Sequence, residues 1–199
     1  MLHVRIAESK DLEHIAKTHI ECFSNHFSSS LGERLLKKYY ECFLNAYPDL
    51  FLVALDNNQI IGFAMGYPFQ GGNQTRRFIH KHFFLFSLRF LFLLFIRFDK
   101  RAWGKVFSKK EKYFSYEYPP FDCLRTGDLL SICLGKNYRG SGLAKEMLDK
   151  FIAQLSKRDF NFCVLSTNND NFSAQKFYEK NGFVLGAKTS KAFHYYKHI

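Results

Sequence analysis

The spacing of apolar residues predicts one strand and two helices at the start of the chain. Alternation of polar and apolar residues over 3–7 indicates a short strand. Ser9 is expected to cap the first helix, and Ser30 with Glu33 has the spacing of a capping box for the second. The apolar stripes of the two helices are Leu12, Ile15, Ala16, His19, Ile20 and Phe23, and then Leu35, Leu36, Tyr39, Tyr40, Phe43 and Leu44.

Strands and helices alternate in most of the remaining chain, which predicts a mixed α/β sheet with one βαβ crossover in a single domain, 1–199. The predicted strands are 51–55 and 60–67 around Asp56-Asn57-Asn58, then 128–134, 160–165, 183–185 and 193–196. One predicted helix is 141–156. A second helix follows the strand at 160–165; Asp170 or Asn171 caps it and Asn181-Gly182 ends it.

An insertion around 71–120 interrupts this pattern and contains an almost wholly apolar run from Phe83 to Phe98. The run is shorter than the roughly 20 residues of a membrane-spanning helix, and arginines lie within and beside it. Three interpretations stay open: a helix buried on the domain, a surface for a dimer or an acceptor, and an anchor at a membrane interface. A peripheral membrane contact or a homodimer would use residues 78–98.

Composition indicates one globular domain and gives no sign of a metal site. The 199 residues are 47% hydrophobic and include five cysteines and eight histidines without metal-ligand spacing. Because the cysteines are scattered and odd in number, we expect buried free thiols in a reducing compartment. The residues after Met1 do not form a secretory signal, so the cytoplasm is the expected location, with membrane association left open.

The net charge of +11 favours an anionic partner such as a nucleotide, a lipid head group or a nucleic acid, with general surface basicity as the alternative. No basic recognition helix supports nucleic-acid binding.

A glycine turn before the helix at 141–156 is the first candidate for chemistry. It follows an apolar strand and leads into a helix, so several backbone N–H groups are left unpaired at the helix start. Such a turn suits a phosphate or pyrophosphate, because the free donors and the helix dipole act together. The residues of the turn are Arg139, Gly140, Ser141, Gly142, Leu143 and Ala144.

Together with a second segment, this turn resembles the acyl-CoA-binding half of the GNAT N-acetyltransferase superfamily. The turn fills the family pattern Arg/Gln-Gly-x-Gly-x-Gly/Ala without a gap. The resemblance implies a mixed, mainly antiparallel central sheet flanked by helices, with the helical insertion around 71–120 and a CoA-binding half at about 126–185. The second segment matches the family through Asn171, Ala174, Tyr178, Gly182 and Phe183.

The resemblance also implies roles in binding acetyl-CoA, with no metal. The glycine turn would bind the pyrophosphate, and Asn171 would hydrogen-bond the pantetheine. The backbone of the preceding strand would pair with the pantetheine at Ile132, Cys133 and Leu134, and Cys133 is expected to be a small apolar strand residue rather than a nucleophile.

In the reaction that the resemblance implies, an amine attacks the acetyl thioester directly. Tyr178 would donate a proton to the departing thiolate, and a backbone N–H at Leu134 would stabilise the oxyanion. The position of the glutamate base of some members is Ser166 here, so Asp128 is the candidate base, with a water chain as the alternative.

The acceptor is expected to be a small amine that carries negative charge, such as a nucleotide- or lipid-linked amino sugar. Aromatic and basic residues of the insertion favour such a molecule, and the net charge disfavours a polycation. The alternative function is a non-catalytic acyl-CoA-binding module that docks on a membrane or a protein through the Phe-rich insertion.

Overall fold

Strands and helices alternate along the chain and form one sheet with helices on both faces. The computed structural model describes residues 1–69, 74–107, 113–116 and 123–199. The strands are β1 (Leu2–Ile6), β2 (Phe51–Asp56), β3 (Gln59–Pro68), β4 (Tyr113–Tyr116), β5 (Thr126–Leu134), β6 (Phe162–Asn168), β7 (Val184–Thr189) and β8 (Ala192–His198). The helices are α1 (Leu12–Cys22), α2 (Phe27–Ser30), α3 (Glu33–Ala46), α4 (Gln74–Lys81), α5 (Phe83–Phe95), α6 (Lys100–Val106), α7 (Leu143–Ser156) and α8 (Phe172–Lys180).

The sheet has the strand order β1-β2-β3-β5-β6-β8-β7-β4, and every neighbouring pair is antiparallel except β5 and β6. The parallel pair is joined by α7, which is the predicted βαβ crossover. The mixed, mainly antiparallel sheet is confirmed. The insertion is helical in α4, α5 and α6, but it also contributes β4 to the sheet edge beside β7.

Two hydrophobic clusters hold the helices on the sheet. On one face, α1 and α3 bury Ile15, Leu36 and Phe43 against β2 and β3. On the other face, α7 buries Met147 and Phe151, four residues apart on one side of the helix. The apolar stripes predicted for these helices are therefore the faces that pack on the sheet.

The two central strands separate part-way along their length. β5 and β6 pair only from Thr126 opposite Phe162 to Leu129 opposite Leu165. Beyond that point β5 continues against β3 alone, as far as Leu134. A V-shaped opening therefore lies between the two strands, with one backbone edge of β5 exposed to it.

Two of the predicted helix caps are wrong. The turn before α1 begins after Glu8, whose backbone N–H donates to the Asp11 carboxylate at 2.8 Å, and Ser9 does not cap. Ser30 ends α2, where its hydroxyl donates to the Phe27 carbonyl, and α3 begins after its N-cap residue Gly32 without a side-chain cap. In both cases a neighbouring residue provides a better-placed start, so spacing alone misassigned the cap.

The apolar run of the insertion forms α5, which is buried on one side only. Leu93 and Leu94 pack with Ala102 of α6 into a small separate cluster. Phe84 and Phe95, on the opposite side, are 71% and 60% exposed. A helix wholly buried on the domain is therefore not what the structure shows. Residues 70–73, 108–112 and 117–122 of the predicted insertion lie outside the described part of the chain.

No single helix of the described residues has the length and apolar character required to cross a membrane. By length and composition alone, α4 and α5 pass that test as a pair, although the two axes meet at 88°.

Candidate active site

The opening between β5 and β6 leads into a cavity of about 800 Å³. One end of the cavity, here called the donor end, is formed by β5, the glycine turn and α8. The other end, here called the acceptor end, is formed by residues of α1, α2, α3, α4 and α5. The predicted site residues on its wall are Ile132, Cys133, Leu134, Arg139, Gly140, Ala144, Asn171 and Tyr178. The structure therefore brings both predicted segments and the predicted strand together around one cavity.

The glycine turn has the open backbone that its sequence predicts. Gly140 and Gly142 both have left-handed backbones, with φ of +81° and +87°. A Cβ built on either residue would meet nothing within 4 Å, so the space beside the turn is free for a ligand. The Ser141 hydroxyl donates to the Tyr138 carbonyl at 2.6 Å and fixes the turn from within.

Helix α7 begins directly at this turn. Gly142 is the N-cap residue and accepts a hydrogen bond from the Glu146 N–H at 3.0 Å. The N–H of Leu143 reaches only the Ser141 hydroxyl, at 3.4 Å. The first-turn donors and the positive end of the helix dipole thus lie at the turn whose Gly140 and Ala144 line the cavity, an arrangement that suits a pyrophosphate.

Helix α8 places two predicted residues on the cavity wall. Of the two predicted caps, Asp170 and Asn171, the N-cap is Asn171, whose side-chain oxygen accepts from the Ala174 N–H at 3.2 Å. The side-chain amide N–H groups of Asn171 stay available to a ligand. Tyr178 lies two turns further along α8 and also lines the cavity.

Burial raises the pKa of Tyr178 above its ordinary value of 10. Its ring is held by edge and tilted contacts with Phe177, Phe183 and Tyr195. The phenol is therefore fully protonated at neutral pH, which is the state required of a proton donor.

Asp128 lies on β5 but is not among the described residues of the cavity wall. Its side chain shares a hydrogen bond with Tyr67 of β3, and burial raises its pKa to about 6 against the opposite effect of that bond. At neutral pH the carboxylate is still largely ionised, with a pKa near that of a useful general base. Ser166, at the position of the glutamate in some family members, lies on the wall.

Two histidines of the acceptor end were not identified from the sequence. The ring nitrogens of His19 lie 2.5 Å from the Tyr40 hydroxyl and 2.9 Å from the Ser28 hydroxyl, and burial lowers the His19 pKa to about 4. The side chain of His26 is exposed, and partial desolvation followed by the charge of Lys105 lowers its pKa. Little in the sequence indicated either residue. The position of His19 in an apolar stripe predicts a core residue, and His26 lies outside any motif.

Two thiols meet on the same wall. Cys22 and Cys133 are in hydrogen-bonding contact, and burial raises the pKa of the Cys133 thiol well above its ordinary value. Contact with Cys133 lowers the pKa of Cys22, and the charge of Arg139 adds to that effect. Cys133 is thus a protonated, buried thiol. The expectation that the cysteines are buried holds for Cys133 and Cys163, whereas the other three are partly exposed.

No group of three or more His, Cys, Asp or Glu side chains that could hold a metal ion occurs within the described ranges.

Comparison with known protein families identifies the family of this chain. The profile described as "Acetyltransferase (GNAT) family" matches residues 12–183, which is most of the chain. The chain belongs to the GNAT acetyltransferase family. This GNAT protein has no significant match among curated protein sequences.

Solved structures share the fold at low sequence identity. Ard1 from Thermoplasma volcanium is 15% identical with a TM-score of 0.60, and the alignment covers 100% of this chain and 97% of that one. The PaiA N-acetyltransferase from Thermoplasma acidophilum, solved in complex with coenzyme A, is 16% identical with a TM-score of 0.58, covering 100% and 99%. The ribosomal-protein-S18-alanine N-acetyltransferase from Escherichia coli is 17% identical with a TM-score of 0.51, covering 100% and 94%.

This GNAT protein is accordingly an acetyltransferase whose acetyl donor is acetyl-CoA. The residues present fit that donor. The glycine turn leaves open space beside its backbone, the α7 N-terminus faces that space, and one edge of β5 is unpaired where an extended chain would lie.

Proposed function

We propose that this GNAT protein acetylates the primary amine of a small acceptor that carries an apolar or planar part and a negative charge. The observation that carries the proposal is the charge of the cavity wall. None of the described residues that line the cavity is an aspartate or a glutamate, whereas Lys105 and Arg139 are among them. A polyamine or lysine side chain would find no carboxylate there, and an anion would find cations.

Aromatic side chains support the apolar or planar part of this acceptor. Phe23 and Phe27 come from the α1–α2 region, and Phe78 and Phe86 come from the insertion. Rings of this kind stack on a nucleobase or pack against a lipid chain. A nucleotide-linked or lipid-linked amino sugar has both the amine and these two features, and it is the acceptor class that we propose.

Acetyl-CoA supplies an acetyl thioester, the acyl group that an amine can take directly. We assign the binding of its pyrophosphate to residues 139–144 and the binding of its pantetheine to Asn171 and the free edge of β5 at Ile132, Cys133 and Leu134. The backbone N–H at Leu134 is the proposed oxyanion donor, because it lies on the part of β5 that faces the opening.

Two proton movements are assigned to residues of this chain. Tyr178 is the proposed acid, since its phenol is protonated and lines the cavity. Asp128 is the proposed base, acting through a water chain, because neither Asp128 nor Tyr67 is among the described wall residues. His26 is a competing base, because it is on the wall and its lowered pKa leaves the ring neutral.

The acceptor class is tested by measuring kcat/KM for a panel of amines with the full chain and acetyl-CoA. The panel pairs a nucleotide-linked amino sugar with the free amino sugar, and adds a polyamine and a lysine peptide. Thiol release is followed with a thiol-reactive dye, and the acetylated product is identified by mass spectrometry. We expect the nucleotide-linked sugar to exceed the free sugar by roughly tenfold or more, because its phosphates gain charge contacts with the cavity wall.

Lys105→Glu should remove that preference, and Lys157→Glu, an exposed change at the far end of α7, is the matched control. Preference for the polyamine or the lysine peptide would overturn the proposed acceptor class while leaving acetyl transfer intact.

The two candidate bases are separated by Asp128→Asn and His26→Gln in the same assay. Loss of kcat with unchanged acetyl-CoA affinity identifies the base, and loss in His26→Gln alone would remove Asp128 from that role.

A further inference from the structure

Helix α5 presents an apolar face to the outside of the molecule. The exposed residues of this face are Phe84 (71%), Leu88 (51%), Leu91 (49%), Phe92 (40%) and Phe95 (60%). Their spacing of four, seven, eight and eleven residues from Phe84 places them on one side of the helix. We call these five residues the α5 face.

The one charged side chain of α5 packs against α2. Arg89 donates from Nε and Nη2 to the Ser30 carbonyl, at 3.2 and 2.9 Å, and so lies against α2. A surface helix in water normally has its apolar residues inward and its charges outward. In α5 apolar residues occupy the outward side as well as the buried side, and contiguous exposed apolar surface of this kind marks an interaction site.

Further exposed apolar residues continue the α5 face at its C-terminal end. Ile96, Phe98 and Phe107 are 69%, 70% and 72% exposed. Phe98 has a positive φ of 49°, which is uncommon for a bulky residue. A strained backbone that leaves a phenylalanine in solvent suggests a function for the exposed ring.

The exposed charges of the segment 74–107, which contains α5, are of one sign. The exposed basic residues of 74–107 are Arg76, Arg77, Lys81, Arg97, Lys100 and Lys105. The one acidic residue in this range, Asp99, is buried and bonded to Arg101. A partner of this segment would therefore be apolar where it meets the α5 face and negative where it meets these cations.

We propose that the α5 face docks on the surface of an anionic lipid bilayer. Such a surface offers acyl chains to the phenylalanines and acidic head groups to the surrounding lysines and arginines. A second copy of this chain would bring the same positive charges together, so self-association through this face is disfavoured. The helix is too short to span the bilayer and would lie along its surface.

The test is co-sedimentation of the full chain with vesicles of phosphatidylcholine alone and with roughly 30% phosphatidylglycerol. We expect binding to the anionic vesicles, weakened by salt, and at least about tenfold weaker binding to the neutral ones.

The double variant Phe84→Glu/Phe95→Glu should lose binding to both. Phe172→Glu is the matched control, because Phe172 is 67% exposed on a different helix and should leave vesicle binding unchanged. Arg76→Glu/Arg77→Glu should remove only the preference for anionic lipid. Retained acetyl-CoA affinity and an unchanged melting temperature show that each variant is folded.

Equal vesicle binding by the wild type and the Phe84→Glu/Phe95→Glu variant would overturn the proposal. So would absence of vesicle binding, and sedimentation velocity would then show whether the same variant converts a dimer to a monomer. Acetyl transfer is measured separately, so failure to bind lipid leaves the proposed acceptor class untouched.

Discussion

Tyr67 and Asp128 lie opposite each other on β3 and β5, and their side chains share a hydrogen bond. Burial raises the Asp128 pKa to about 6 from its ordinary value of 3.8. The folded protein therefore binds more protons than the unfolded chain between about pH 4 and pH 6, and its stability falls as the pH rises through that window. At pH 8 the ionised carboxylate weakens the fold.

Asp128→Asn should consequently raise the melting temperature at pH 8 and have little effect near pH 4. The gain is on the order of 1–2 kcal/mol, or roughly 2–6 °C, because the amide carries no buried charge. Tyr67→Phe removes the donor to Asp128 and should instead steepen the loss of stability with pH. Thermal denaturation from pH 4 to pH 8 measures both, and identical pH profiles for all three proteins would contradict the interaction.

Gly142→Glu should weaken acetyl-CoA binding by roughly tenfold or more, because its side chain fills the open space at the α7 N-terminus and adds a negative charge there. Isothermal titration calorimetry at moderate salt measures the Kd. Gly182→Glu is the control, since Gly182 has a similar φ of +80° away from the turn. Equal affinities in the two variants would show that backbone strain alone explains the effect.

Tyr178→Phe should lower kcat on the order of 100-fold and leave the acetyl-CoA Kd unchanged, because it removes the proton donor and keeps the ring. Tyr195→Phe is a suitable comparison, as its hydroxyl bonds Glu179 outside the cavity wall. The measurements are steady-state kinetics and calorimetry. Full turnover in Tyr178→Phe would end the assignment of Tyr178 as the acid.

Asn171 caps α8 and also faces the cavity, and two substitutions separate these roles. Asn171→Ala removes the acceptor for the Ala174 N–H and should cost about 1 kcal/mol of stability as well as acetyl-CoA affinity. Asn171→Asp keeps the cap but loses the amide donor, so it should retain stability and still lose affinity. Thermal melting read beside calorimetric titration checks this, and unchanged affinity in Asn171→Asp would leave Asn171 as a cap only.

Local motifs made part of this site predictable. The glycine turn and the Asn171 cap depend on residues within one helical turn, so their conformations follow from the sequence itself. The Ser9 and Ser30 caps were wrong because Glu8 and Gly32 provide the actual starts.

The sequence could not predict the orientation of α5 or which residues form the acceptor end. An apolar residue at nearly every position gives a helix no polar side from which its orientation could be read. His19 and His26 meet the cavity only because α1 and α2 fold over the sheet, which no local pattern specifies.

Because β5 separates from β6, only a short ladder connects the two halves of the sheet. Four residue pairs, from Thr126 opposite Phe162 to Leu129 opposite Leu165, are the whole ladder between its two halves. An acetyl-CoA molecule bound in the gap between β5 and β6 would bridge the two halves of the sheet. Binding of acetyl-CoA should then slow amide hydrogen exchange in both halves of the sheet, including at residues far from the thioester.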